Sequence, residues 1–436
     1  MIRALALAVA WLAAGSAIAA DRLEGHGGPI RAVSVSADGA QALTASFDYA
    51  AILWDVATGR VVQRLEGHAA AVNDAHFFGE HIVTVGDDGV LRTFARDGRL
   101  VGSIETPPTK VLDVAVAPDG GMLATARWDH TVRVHHPGGG PGQTLQGHRG
   151  NVNAVAWAPD GALYSAGYDG TILRWNLATA RADAPIVSHG WGINVLAVLP
   201  DGRLAWGALD GTVAVSEPGG RTRVLAARGG PIQAIDVEGG RLALGDATGW
   251  IGLFDAQTLE PLDEGRVALG PVFGVALVPG ERSLFHVGLD DAARRWRFTP
   301  SRPEALASGP RRFQAQAGDV SDPGELEFRR KCSVCHTLVP DGANRAGPTL
   351  HGVFGREAGT LPGYAYSRAL VDSPIVWSRE TIGRLFADGP DVVTPGTKMP
   401  IQVLRDVKRR DALLRFLEQA TKPKGMGTGT EGEGSE

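Results

Sequence analysis

The sequence predicts a multidomain protein, an all-β region of seven similar units followed by a smaller all-α region. Three observations carry this reading. A turn motif recurs at steps of 38–42 residues from Asp48 to Asp290, a Cys-x-x-Cys-His run at 332–336 continues a helical pattern, and a proline-bearing segment, 300–318, lies between them. With 436 residues the chain is longer than the ~250–300 at which a single core stops growing, so more than one domain is required. A formal charge of −5 is small for this size and argues against nucleic acid as the main partner.

Residues 1–19 read as a signal peptide outside the fold. Arg3 gives a short positive head, Ala4–Ala14 is an apolar run, and Ala17-Ile18-Ala19 is an A-x-A cleavage site. The run is well short of the ~20 apolar residues that span a bilayer, so cleavage near Ala19/Ala20 and export to the periplasm are expected, with no membrane span.

Residues 20–307 carry the repeats. The marker positions are Asp48, Asp88, Asp129, Asp169, Asp210, Thr248 and Asp290, and six residues after each come Trp54, Phe94, His135, Trp175, Ser216, Phe254 and Trp296. Histidines preceded by Gly or Ser open several units (His26, His68, His148, His189). Many of the 59 glycines sit in Asp-Gly and Gly-Gly turns between short alternating strands. This set resembles the WD-repeat (WD40) β-propeller with seven blades. The resemblance implies a His–Ser/Thr–Asp–Trp network that locks a blade. His26, Ser46, Asp48 and Trp54 are matched to it here, and units three, five and six are expected to lack it. It also implies a surface that docks partners. Arg22-Leu23-Glu24-Gly25-His26 repeats the pattern of Arg64-Leu65-Glu66-Gly67-His68, so the opening segment is expected to supply the outer strand of the last blade, beside Ala292–Phe298. Such closure removes exposed sheet edges.

The linker is set at 308–320 within the Pro-bearing stretch. Beyond it, residues 321–420 hold the only two cysteines, Cys332 and Cys335, followed directly by His336. C-x-x-C-H is the attachment signature of a c-type haem. On a helical turn two thiols three residues apart share a face, and the next residue offers an imidazole to the iron. A structural zinc site would need about four Cys or His ligands, and no second cysteine pair exists. Met399 is the one methionine placed to be a soft second axial ligand, because Met1, Met122 and Met426 lie elsewhere.

Gly324, Phe328, the run Gly347–Arg356, Tyr366, Trp377, Pro395–Met399 and Arg410–Leu417 together resemble a class I cytochrome c of the mitochondrial type. The resemblance implies an all-α domain with one covalent haem c, His336 and Met399 as axial ligands of the iron, and the Pro348 carbonyl as acceptor from the His336 ring. It implies that Arg356, Tyr366, Trp377 and the Thr397 hydroxyl surround the haem, and that Gly324 lets Leu413 and Phe416 come close. Leu370 and Leu385 depart from it, standing where an Asn and a Tyr would form a polar network near the methionine. Lys398, Lys408, Arg409 and Arg410 are candidates for a charged rim that steers an acidic partner. Residues 421–436, rich in Gly, Glu and Lys, are expected to be disordered.

The functional expectation is an exported mono-haem electron carrier, not an enzyme, whose propeller docks a redox protein partner. A peroxidase-like haem enzyme, or catalysis borne by the propeller with the cytochrome as donor or acceptor, stays open as an alternative.

Overall fold

The computed structural model describes residues 20–105, 109–137, 142–228, 230–298, 322–332, 336–340, 347–362, 364, 366, 368–394, 399, 404 and 406–422. The expected signal peptide and linker, most of the expected tail, Cys335, Thr397 and Lys398 lie outside these.

Seven antiparallel sheets follow one another along the chain. Six take their strands in simple sequence order, such as Ile30–Val35, Gln41–Ser46, Ala51–Asp55 and Val61–Leu65 in blade 1. Blade 4 adds a short strand, Val187–Ser188, beside Thr171–Asn176. The seventh is completed by Arg22–Glu24, which pairs antiparallel with Ala292–Arg297 through Leu23 opposite Ala293. The expected closure is therefore present, and the architecture is an all-β seven-bladed propeller.

Burial follows from this stacking. The second strand of each blade lies between neighbouring blades and is largely buried on both faces: Leu163–Gly167 is buried throughout, as is Leu123–Arg127. Outer strands expose one face, with Val61, Leu100 and Val224 about half exposed. Apolar clusters run from blade to blade. One joins Leu23, Ile52 and Trp54 to Phe285 and Ala293 across the closing seam.

Every blade carries the same irregularity between its first two strands, a register shift of one residue after the first pair, for example between Val72 and Asp74 and between Val111 and Asp113. A bulge re-aims side chains. Here it lets Asn73, Asn153 and Asn194 donate to the carbonyls of Val111, Ile193 and Ile232 in the next blade, at 2.9–3.0 Å.

The C-terminal stretch is helical: α1 Pro323–Lys331, α2 Arg368–Val371, α3 Arg379–Asp388, α4 Pro390–Val393 and α5 Val407–Ala420. Asp322 and Asp406 cap α1 and α5 by accepting backbone N–H groups of the first turn, and Ser378 with Thr381 forms a capping box on α3. Helices α1 and α5 cross at Gly324, where an added Cβ would meet the Ala412 carbonyl oxygen and lie 2.7 Å from Phe416 Cβ. The close approach expected of Leu413 is thus made by Ala412 and Phe416, while Leu413 is fully buried in the core beneath. Thr421, placed in the tail by its composition, is buried, and its carbonyl accepts from Gly352 N–H at 2.7 Å, so ordered packing continues past residue 420. Among the described residues no helix is long and apolar enough to cross a membrane.

Candidate functional site

Cys332 ends α1, buried, with its N–H on the Phe328 carbonyl at 2.8 Å. His336 N–H then bonds the Cys332 carbonyl at 2.8 Å, the i to i−4 pattern of a helical turn. The ring is fixed from the other side. Its Nδ1 donates to the Pro348 carbonyl at 2.7 Å, which leaves the lone pair on Nε2. Gly347 is required for this, since a Cβ there would lie 2.7 Å from Nδ1 and overlap the ring. The acceptor expected of Pro348 is the one found.

Met399 packs at the edge of the same apolar cluster as Cys332, with Phe328, Leu350, Val353, Phe354 and Trp377. A buried sulfur, a ring with a committed tautomer and a thioether around one apolar cluster form a soft N/S donor set. That donor chemistry fits haem iron and its thioether attachment.

The residues expected around the haem are brought together in part. Gly355 N–H bonds the Trp377 carbonyl at 2.7 Å, and Trp377 N–H bonds the Arg356 carbonyl at 2.9 Å, which ties Arg356 and Trp377 side by side. The Arg356 guanidinium donates to the carbonyls of Thr349 (2.8 Å) and His351 (3.2 Å), clamping the loop that carries Pro348. Burial lowers its pKa, partly offset by the Tyr366 hydroxyl nearby, whose own pKa burial raises. Tyr366 stands edge-on to Tyr364 at 4.7 Å, and the Tyr364 hydroxyl reaches the Tyr49 hydroxyl of blade 1 at 3.1 Å. Leu385 is buried, as an apolar replacement should be.

Two residues of the expected charged rim are held within the helical region. Arg409 makes two bonds to the buried Glu327 carboxylate, at 2.6 and 2.8 Å, and so clamps α5 to α1. Arg410 donates to the Leu404 carbonyl at 2.8 Å. Both have structural work, which the charge pattern alone did not reveal.

In the propeller, the blade-locking networks correct the expectation in one place. In blade 1 the hydroxyl is Thr44, not Ser46: His26 Nε2 and Trp54 Nε1 meet Thr44 Oγ1 at 2.7 and 2.8 Å, while His26 Nδ1 bonds Asp48 at 2.9 Å. Trp54 pairs across the strand with Ala42, so its indole reaches diagonally to Thr44. Ser46 bonds the Pro29 carbonyl instead. Blade 4 repeats the network with His148, Ser165, Asp169 and Trp175. Blade 5, expected to lack it, holds two separate pairs in place of the four-member network: Trp206 donates to Ser216 at 3.0 Å, and His189 bonds Asp210. Blade 3 puts His135 in the indole's place, bonded to Thr125 at 3.0 Å, and blade 6 uses Trp250 with Glu264.

Buried titratable groups of the propeller set an acid sensitivity. Burial opposes the charge of Asp88, but hydrogen bonds from His68 and from the N–H groups of Ala69 and Val90 hold its pKa down at about 2. Burial, with arginines close by, pushes His135 down to about 4 and His286 to about 3. The unfolded chain takes up a proton at each histidine near pH ~6.5, and the folded one does not, so stability is lost as pH falls from there towards 4 and 3. Asp88 adds to this from about pH 4 down to 2, since its depressed pKa stabilises only while it is ionised. Urea midpoints are expected to fall steadily between pH 6.5 and 3. His286→Gln should remove up to about one proton from that slope. An unchanged slope would show that His286 is not held neutral.

The seven innermost strands enclose a central cavity of about 580 Å³. Asp74 and His76 of blade 2, Asp113 of blade 3 and Asp236 of blade 6 line it. His76 keeps 42% of its side chain exposed within the ring, so its surroundings are wetter than its depth suggests. Burial and the neighbouring Asp74 carboxylate raise Asp113, and burial raises Asp236 to about 6.

Residues 19–55, 59–94, 98–136 and 139–176 match the WD40 family (WD domain, G-beta repeat). Repeat and ring together define a WD40-repeat β-propeller protein. Cytochrome c of Gibberella zeae is 37% identical over 105 residues, which make up 24% of this chain and 97% of that protein. Cytochrome c of Sesamum indicum is 37% identical over 108 residues (25% and 96%), and that of Arabidopsis thaliana 38% over 112 (24% and 99%). Over that part of its length the chain belongs to the cytochrome c family.

Proposed function

We propose that the cytochrome c portion is the helical stretch 322–422, and that it holds one haem c covalently through Cys332 and Cys335. His336 and Met399 would be the axial ligands. The observation that carries the reading is the state of His336: its Nδ1 proton is engaged by the Pro348 carbonyl, within a turn begun by Cys332. Such an outer hydrogen bond fixes the tautomer and raises the basicity of the ligating nitrogen.

Haem iron supplies a reversible one-electron couple, and Met/His ligation raises its potential. The chain's own residues do the rest. Cys332 and Cys335 anchor, Pro348 orients the imidazole, and Arg356 holds the Pro348 loop in place. The cluster of Phe328, Leu350 and Val353 keeps water from the donors. Arg356, Tyr366, Trp377 and Thr397 would border the haem. With His336 and Met399 both given to the iron, the chain would favour electron transfer over substrate chemistry there.

The leader directs the chain to the periplasm, where such a carrier meets its partners. The propeller docks a redox protein partner, and tethering then holds the haem near it at millimolar effective concentration. The Tyr49–Tyr364 hydrogen bond contributes only ~1 kcal/mol, too little by itself to hold the helical region to blade 1.

The test begins with full-length protein matured in an exporting host. It should contain one haem per chain, resistant to acid extraction, and Cys332→Ser or Cys335→Ser should make part of it extractable. At nanomolar concentration the protein should reduce or oxidise periplasmic and membrane extracts, and excess propeller added as competitor should slow this tenfold or more. Protein without covalent haem would overturn the carrier reading. Unslowed transfer would remove the docking role.

A further inference from the structure

The central cavity holds an arrangement that neither blade locking nor the haem region uses. Asp74 and His76 sit two residues apart on Val72–Phe78, so they share one face of that strand. Asp113 comes from Val111–Val116 of the next blade. Both aspartates directly follow the bulge of their blades, which places them side by side on the cavity wall. One nitrogen of His76 and one oxygen from each carboxylate lie within 4.8 Å of one another.

We propose that Asp74, His76 and Asp113 bind a divalent transition-metal cation on the wall of the propeller channel. Backbone groups fix the two carboxylates from outside. Val114 N–H and Ala75 N–H bond Asp74 at 3.1 and 2.9 Å, and Val155 N–H bonds Asp113 Oδ2 at 2.8 Å. The two carboxyl groups are also hydrogen-bonded to each other, and His76 Nε2 lies 3.3 Å from Asp74 Oδ2. Two carboxylates that close need a cation or a shared proton between them. The guanidinium of Arg31 faces the same cavity but donates to the Phe273 carbonyl at 3.1 Å and lies over that ring.

The donor set selects among metals. An imidazole with two carboxylates suits zinc and its neighbours, whereas calcium and magnesium prefer oxygen alone. Three protein ligands leave a coordination position facing the cavity. The simpler alternative is that each aspartate only staples its blade to the next. Asp236 shows that staple in isolation, bonding Leu277 N–H at 2.7 Å, with no histidine within the same ligand cluster.

The test uses the full chain, stripped with chelator and titrated with zinc by calorimetry and metal analysis. Wild type should bind one zinc per chain more than His76→Gln or Asp113→Asn, or bind that zinc more than ~10-fold more tightly. His76→Gln leaves both backbone staples in place but loses its ion pair with Asp74, so the rise in melting temperature on adding zinc, large in wild type and absent in the variant, separates lost binding from lost folding. A hundredfold excess of magnesium should not displace the zinc. Equal zinc binding by wild type and His76→Gln, or ready displacement by magnesium, would overturn the site. So would a wild-type chain that takes up no zinc at all.

Discussion

Met399→Ala is expected to leave the haem attached and to convert the iron from low spin to high spin, or to open it to added ligands such as cyanide. The argument combines scarcity with position. Met399 is the one methionine within residues 321–420, and it packs against the apolar cluster that also holds Cys332. Losing a thioether ligand should lower the potential by a sizeable part of the ~0.8 V over which axial ligation tunes haem. Loss of its packing should cost on the order of 2 kcal/mol, the low end for such truncations because the side chain is only partly buried. Optical and electron paramagnetic resonance spectra with a redox titration would read the outcome. An unaltered low-spin spectrum and potential would exclude Met399 as the ligand.

Gly324→Val is expected to unfold the helical region and leave the propeller intact. A Cβ at this position overlaps the Ala412 carbonyl, which is backbone and cannot swing aside. Helices α1 and α5 would have to separate, breaking the Phe328–Phe416 contact (5.6 Å between centroids) and the Arg409–Glu327 clamp. Losing that clamp, whose arginine is half exposed, adds only a modest loss to the steric term. Calorimetry should show the helical transition lowered or absent, with the propeller transition unmoved. Gly324→Ala should fall between. Two unchanged transitions would mean that the helices do not cross here.

Much of this was legible because it is periodic or covalent. Repeats of ~40 residues with turn glycines define blades, and the likeness of 22–26 to 64–68 foretold the closing strand. His336 was legible in the C-x-x-C-H motif, and the Pro348 acceptor only through the resemblance to class I cytochrome c. What stayed hidden depends on diagonal reach across strands. Thr44 and Ser46 face the same side of one strand, so only the position of Trp54 decides between them. The exchange of Trp206 and Ser216 conserves the pair but reverses its order, which a fixed-offset pattern cannot detect. Arg409 looked like a surface charge because the buried Glu327, 82 residues away, becomes its neighbour only when α1 meets α5. The bulge that turns Asp74 and Asp113 towards the channel has no composition signal, since Asn, Leu, Gln, Arg and Phe all occupy it.

The seam that closes the ring has a consequence for the order of events during synthesis. Leu23 pairs with Ala293, about 270 residues later. At ribosomal speeds of ~5–20 residues per second that gap is roughly half a minute. Through that interval Leu23, which ends with no exposed surface, has no sheet to join, and blade 1 has no seventh neighbour. The last contact to form spans nearly the whole domain, so its closure entropy is paid before any local reward returns. The strand that is made first is the one the fold uses last.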